Sequence, residues 1–277
     1  MSQTDQIILP LEDNHLDILG KAQNGLKLGN EELASRAGIS SAELSRIQAG
    51  EVLSEPLGKL AKALGLGPQP LTNAARKAWR PQAVTIPGLK TFTTRFEDMT
   101  VNSYLAWDAA SKKAAAFDAG ADAGPMLEFA AASKLKIALI LITHTHIDHV
   151  YDLARLREKT GAPVFVGDQE PPLPGAESFA AGKSFQAGAL VIESRLTRGH
   201  ADGGITYVIK GLSRTVAVVG DAIFAGSMGG GKVSYADALR TTREEILSLP
   251  DETVLASGHG PLTTVAEEKK HNPFFAA

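Results

Sequence analysis

Seven residues have the types and the spacing to hold divalent cations. Four of them, His144, His146, Asp148 and His149, fall in one stretch, Thr143-His144-Thr145-His146-Ile147-Asp148-His149. The others are His200, in Thr197-Arg198-Gly199-His200-Ala201-Asp202-Gly203, Asp221, directly after Val216-Ala217-Val218-Val219-Gly220, and His259, in Ser257-Gly258-His259-Gly260-Pro261. His144 and His146 are two apart, so in an extended segment both point the same way and can reach one cation. Asp148 and His149 lie past the turn and can reach a second. Two ions some ~3.5–4 Å apart need a bridging carboxylate, and Asp221 is the candidate. The chain has no cysteine, which excludes disulfides, thiol catalysis and thiolate zinc sites, so any metal is held by imidazole and carboxylate. Of the seven histidines only His15 and His271 lie outside this scheme, and both are expected to face solvent.

The positions of these residues imply the scaffold. Residues 137–142, Ile-Ala-Leu-Ile-Leu-Ile, are too short for a typical helix and rich in branched side chains, so they read as a buried strand. His200, Asp221 and His259 also follow strand-like runs. Ligands on loops at the carboxyl ends of strands are where open α/β sheets place their sites. The surrounding pattern mixes strands at 89–96, 101–108, 114–117, 163–166, 190–196, 205–209, 216–219 and 254–256 with helices at 123–133, 150–160 and 235–249. A layered α/β arrangement is expected. Asp118, at the end of a strand, is a candidate to orient a metal-bound imidazole.

Residues 1–80 read differently. After an arm over residues 1–14, the pattern turns helical from Leu16. Asn30 is the expected cap of a helix that stops at Gly38. Ser40 and Glu43 form a capping box for a second helix ending at Gly50, and a third runs over 55–64. Residues 65–70, Gly-Leu-Gly-Pro-Gln-Pro, break the pattern, a polar segment follows, and the domain boundary is placed near residue 80. The expected domains are therefore 1–80 and 81–277. Residues 1–80 carry nine acidic and nine basic side chains, whereas DNA-binding modules usually have a basic excess.

With 277 residues, 44% hydrophobic and 21% charged content, the chain is long enough for a substantial core and is neither disordered nor membrane-spanning. No apolar run approaches the roughly 18 residues a membrane helix needs. No secretory signal is evident, so the expected location is the cytoplasm. The net charge of −3 gives no general attraction to nucleic acid or anionic membrane. The run Gly226-Ser227-Met228-Gly229-Gly230-Gly231-Lys232-Val233 nearly spells a phosphate-binding loop, but Val233 stands where a Ser or Thr would hold Mg²⁺. It is expected to be a flexible rim of the site, with Lys232 and Tyr235 able to touch substrate.

Two resemblances follow from these motifs. Residues ~85–277, through His144-x-His146-x-Asp148-His149, His200, Asp221 and His259, resemble the metallo-β-lactamase fold hydrolases, and through residues 197–203, 220–227, 258–264, 267–269 and 272–275 resemble glyoxalase II and its short relatives within them. The resemblance implies a two-sheet αββα sandwich. It also implies His144, His146 and His200 on one ion, Asp148, His149 and His259 on the other, and Asp221 between. It implies a thioester hydrolase in which a metal-bridging hydroxide attacks, with Asp148 and Asp221 as the catalytic carboxylates. The ions would be two divalent metals, zinc first, with iron or manganese as alternatives, and the substrate a small thioester or ester. The extra C-terminal helical region of long glyoxalase II enzymes is not expected here. Alternatives on the same fold are a persulfide dioxygenase or a lactonase. Residues ~15–67 resemble the Cro/repressor-like helix-turn-helix family, through Glu32-Leu33-Ala34, Ala37-Gly38-Ile39-Ser40 and Leu44-Ser45-Arg46-Ile47. That implies DNA as a further partner, and as a further alternative a DNA-binding regulator whose hydrolase domain senses a metabolite. Self-association is left open.

Overall fold

The computed structural model describes residues 9–276, so most of the expected arm over residues 1–14 lies outside the described residues. Five helices come first: α1 (His15–Gly25), α2 (Asn30–Ala37), α3 (Ser41–Gln48), α4 (Ser54–Ala63) and α5 (Pro68–Ala75). Asn14 caps α1 in a capping box with Asp17, and Ser40 caps α3 in the expected box with Glu43. Asn30 does not cap α2. Gly29 takes that position and Asn30 is the first helical residue. The Asn30 amide oxygen instead accepts from Gln23 and Gln48 and ties three helices together. Helix α5 replaces the expected polar segment. Pro68 and Pro70 lie in its first turn, where N–H groups have no intrahelical partner in any case, and fully buried Leu71 anchors it.

The remaining chain forms two six-stranded sheets. The first holds β1 (Leu89–Phe96), β2 (Met99–Trp107), β3 (Lys113–Phe117), β4 (Lys136–Leu141), β5 (Val164–Gly167) and β6 (Ala176–Phe179) in that order. The second runs from β7 (Ser184–Ala187) through β8 (Leu190–Leu196), β9 (Ile205–Lys210), β10 (Val216–Gly220) and β11 (Val254–Ser257) to β12 (Thr263–Thr264). Strand alternation sorts the core. On β3, Ala115 and Phe117 join Tyr207, Ile209 and Val218 between the sheets, while Ala114 and Ala116 face α6 (Gly124–Ala132) and α8 (Leu153–Thr160). The outer face of the second sheet packs Ala217, Val219 and Leu255 against Ile246 and Val265. The layers are αββα, as the resemblance implies. Among the described residues no helix is long and apolar enough to cross a membrane.

Several bounds differ from expectation. The helix expected over 150–160 begins inside the histidine stretch as α7 (Ile147–Val150) and continues as α8. The helix expected over 235–249 is α9 (Tyr235–Thr241) followed by a π-helical turn, Thr242–Ile246. Strands β6, β7 and β12 and helix α10 (Val265–His271) were not expected. His15 is buried rather than solvent-facing, and the ring of half-buried His271 stacks on Trp79 at 4.9 Å.

Helix α10 carries a fully buried carboxylate. Glu268 accepts from Thr263 Oγ1 at 2.7 Å, the Gly226 N–H at 2.9 Å and Asn272 Nδ2 at 2.8 Å. Burial outweighs these bonds and raises it from 4.5 to about 7. An acid raised in this way stabilises the fold fully below about 4.5 and ceases to do so as pH rises through about 7. The rise corresponds to at most about 3 kcal/mol. Glu268→Gln mimics the protonated acid, so between pH 5 and 8 the wild type should lose stability relative to this variant in denaturant titrations. Parallel pH profiles would contradict the assignment.

Candidate metal centre

Each element end delivers its expected residue to one place between the sheet edges. After β4 the chain turns through Thr143 to His146 and enters α7, which carries Asp148 and His149 inward. The ring nitrogens of His144 and His200 (both Nε2) lie 3.0 and 2.9 Å from His146 Nδ1. Asp221 Oδ2 stands 3.4 Å from His200 Nε2 and 4.0 Å from His144 Nε2. Asp148 Oδ2 stands 3.5 Å from His149 Nε2 and 3.3 Å from His259 Nε2. The Asp221 carboxylate also faces this second group, with Oδ1 3.3 Å from His149 Nε2 and Oδ2 3.4 Å from His259 Nε2. The structure thus brings all seven residues together as two groups, His144, His146, His200 and Asp221, and Asp148, His149 and His259.

The outward-facing ring nitrogens are held by the protein. His149 Nδ1 lies 2.9 Å from Asp118 Oδ2, His200 Nδ1 2.9 Å from the Gly230 carbonyl, His259 Nδ1 2.6 Å from the Thr100 carbonyl, and His144 Nδ1 3.1 Å from Thr143 Oγ1. Such partners fix the ring orientation, and the carbonyls and the carboxylate also fix the tautomer that leaves Nε2 free. His149 Nε2 and Asp221 Oδ1 are buried and have no hydrogen-bond partner. Buried polar atoms of this kind need a partner, and a cation supplies one. The residues present therefore fit a pair of divalent ions.

The charges point the same way. Burial pushes His144 well below its ordinary value and His200 down to about 4, so these imidazoles are neutral. Burial also acts on His149 and His259, but Asp221 together with Asp118 or Asp148 overcomes it and raises them to about 10 and about 11. Asp221 is held well below the carboxylate range because His259 and His149 outweigh its burial. The protons on these two rings occupy places where a cation would bind, so uptake there releases protons.

Two supporting carboxylates lie behind the site. Asp118, at φ 56°, accepts from the Thr143 N–H and Oγ1, both at 2.7 Å, as well as from His149. Glu170 was missed in the sequence. Its buried carboxylate accepts from Thr145 N at 2.8 Å, Thr145 Oγ1 at 2.7 Å and Gly203 N at 2.7 Å, joining the loops that carry His146 and His200. Glu170→Ala strands these N–H groups in the interior, so chemical denaturation should show a loss of about 3 kcal/mol. A loss below about 1 kcal/mol would mean water replaces the carboxylate.

The first half of the glycine-rich run is not an exposed rim. Residues 226–229 are buried, and Gly229 N donates to the Asp221 carbonyl at 3.1 Å. Tyr235 turns away from the site, its ring lying on Gly25 of α1. Lys232 remains exposed, and its charge helps hold His146 and His200 below their ordinary values, after burial.

Comparison with known proteins agrees with this architecture. The probable metallo-hydrolase YqgX of Bacillus subtilis is 30% identical over 183 residues, 57% of this chain and 85% of that protein. The hydroxyacylglutathione hydrolase GloC of Haemophilus influenzae is 27% identical over 197 residues, 62% of this chain and 92% of that one. The crystal structure of ETHE1 from Myxococcus xanthus superposes with a TM-score of 0.60 at 26% identity, covering 68% of this chain and 84% of that one. Residues 97–259 match the metallo-beta-lactamase superfamily. That stretch is more than half of the chain and contains all seven converging side chains, so this protein belongs to the metallo-beta-lactamase superfamily and is one of its metal-dependent hydrolases.

Proposed function

We propose that the protein hydrolyses a small thioester, in the manner of glyoxalase II, using two divalent ions. His144, His146 and His200 would hold one and Asp148, His149 and His259 the other, with the Asp221 carboxylate facing both groups. The observation that carries this reading is the single buried Asp221 carboxylate, which faces both groups of imidazoles at 3.3–4.0 Å. Two such ions would lower the pKa of a bound water toward neutrality and would polarise the acyl carbonyl. The chain's own groups do the rest. Asp148, buried beside His259, is placed to orient the attacking water and accept its proton. Asp118, Thr100 and Gly230 keep three rings in the ligating tautomer. Lys232 is exposed and its charge acts on His146 and His200, so it suits an anionic part of the substrate. Zinc, iron and manganese all suit this donor set.

A screen of S-acyl thioesters, including S-lactoylglutathione, against lactones tests the reading on metal-loaded protein. Thioester turnover at least tenfold above lactone turnover is expected. The structural likeness to ETHE1 motivates a second reading, a persulfide dioxygenase with one iron. Oxygen consumption with glutathione persulfide, without thioester hydrolysis, would establish that instead.

Helices α2 and α3, joined through Gly38 at φ 62°, are read as a helix-turn-helix-like pair. Their exposed cations are engaged, Arg36 by Glu32 and Arg46 by Glu51, and Lys59 on α4 pairs with Glu55. This favours a supporting role for the helices over phosphate binding. A salt-dependent mobility shift with duplex DNA would reverse that preference.

A further inference from the structure

We propose that helix α1 and the residue before its cap are a working part of the metal centre, with Asp13 and Lys21 as positioning residues for His200 and Asp221. The proposal rests on the two-ion reading above. Both residues precede the region that matches the superfamily.

Lys21 Nζ donates to the Met228 carbonyl at 2.8 Å and pairs with Asp13. The same Asp13 oxygen accepts from Ser227 Oγ. The Asp13 side chain is 8% and that of Lys21 22% exposed, so this is a largely buried clamp and not a surface ion pair. Its target is the run from Gly226 to Gly230. One residue after Met228, Gly229 N donates to the Asp221 carbonyl, and one residue further the Gly230 carbonyl faces His200 Nδ1 at 2.9 Å. A Cβ on Gly229 would lie 2.1 Å from the Asp221 carbonyl oxygen and 2.7 Å from His200 Nδ1, so this backbone is pressed directly against both residues. On its other side the run is held by Glu268 and Asn272, the latter donating to the Ser227 carbonyl at 2.7 Å. A second link runs from the Lys21 ammonium over the Phe224 ring, at 5.1 Å, to His259, whose ring lies 5.5 Å from that of Phe224. Met228 and Ala238 are buried in one hydrophobic cluster with Ile18, Leu19 and Ala22 of α1.

A carbonyl that receives an imidazole N–H decides where the other ring nitrogen points. Freeing the Met228 carbonyl loosens the Gly230 carbonyl two residues away, and with it His200. Zinc affinity of wild type and variants is measured on the full chain by chelator competition, together with the visible spectrum of the cobalt-substituted protein. Lys21→Met and Asp13→Asn should each weaken one of the two ions ~10–100-fold, the usual cost of losing an outer-shell partner. The cobalt bands should change, and kcat should fall more than KM rises. Lys21→Arg should recover most of the affinity. Arg36→Ala, which breaks a remote surface pair, should change nothing. If Lys21→Met does not fold, Asp13→Asn and Ser227→Ala carry the same readout. Variants that melt earlier yet bind both ions with wild-type affinity and spectrum overturn the proposal while leaving the two-ion reading intact. Wild-type protein that takes up no ion overturns both.

Discussion

Asp118→Asn should reduce thioester turnover by about 10²–10⁴-fold while leaving the fold in place. The amide keeps the size of the carboxylate, and asparagine tolerates the φ of 56° that this position requires. Its oxygen can still accept from the Thr143 N–H. Its NH₂ then faces His149 Nδ1, where the carboxylate had accepted at 2.9 Å. Two donors cannot share that contact, so His149 is driven to the tautomer with a proton on Nε2. That proton points at Asp148 and Asp221, where the nitrogen lone pair is needed. A wrong tautomer held by an otherwise intact site is known to cost about 10⁴-fold in a serine protease triad. Elemental analysis should show about one ion retained, the one held by the other histidine group. A variant within tenfold of wild type, with both ions bound, would show that Asp118 only caps the strand end.

Asp221→Asn should have a comparable effect for a different reason. It removes a carboxylate that faces both groups, at 3.3 Å from His149 and 3.4 Å from His200 and His259. Loss of an outer-shell partner typically costs 10–100-fold, so loss of this inner group should exceed about 100-fold in turnover. It should also make occupancy of the two positions unequal, seen as two separated steps in a metal titration. The raised values of His149 and His259 depend on this carboxylate opposing their burial, so both rings should titrate lower in the metal-free variant by NMR. Unchanged ring titrations would show that the charge balance is set elsewhere.

Much of the site was legible in the chain because each candidate ligand follows an apolar run. Strands β4 and β10 are buried on both faces, so residues 137–142 and 216–219 read as continuous branched stretches, and the polar residues after them stand out. Strands β6 and β7 carried no such signal. They are four residues long, lie at sheet edges and expose part of their length. Helix α5 was hidden by Pro68 and Pro70, which break helices in general but are tolerated in a first turn. Glu170 had no local mark. Its partners Thr145 and Gly203 lie 25 and 33 residues away, and only the fold brings them together. The contact of Lys21 with Met228 spans 207 residues, so the sequence showed a glycine-rich rim where the structure has a braced wall. His15 is expected to face solvent because it stands apart from the ligand scheme, but it starts a helix whose inner face is buried.

The central claim, that two ions share one hydrolytic centre, is tested most directly by titrating chelator-stripped protein with zinc, iron or manganese while following thioester hydrolysis. Stripped protein should be inactive, and turnover should rise to a plateau at two equivalents per chain. A plateau at one equivalent, or hydrolysis that persists without metal, would contradict it.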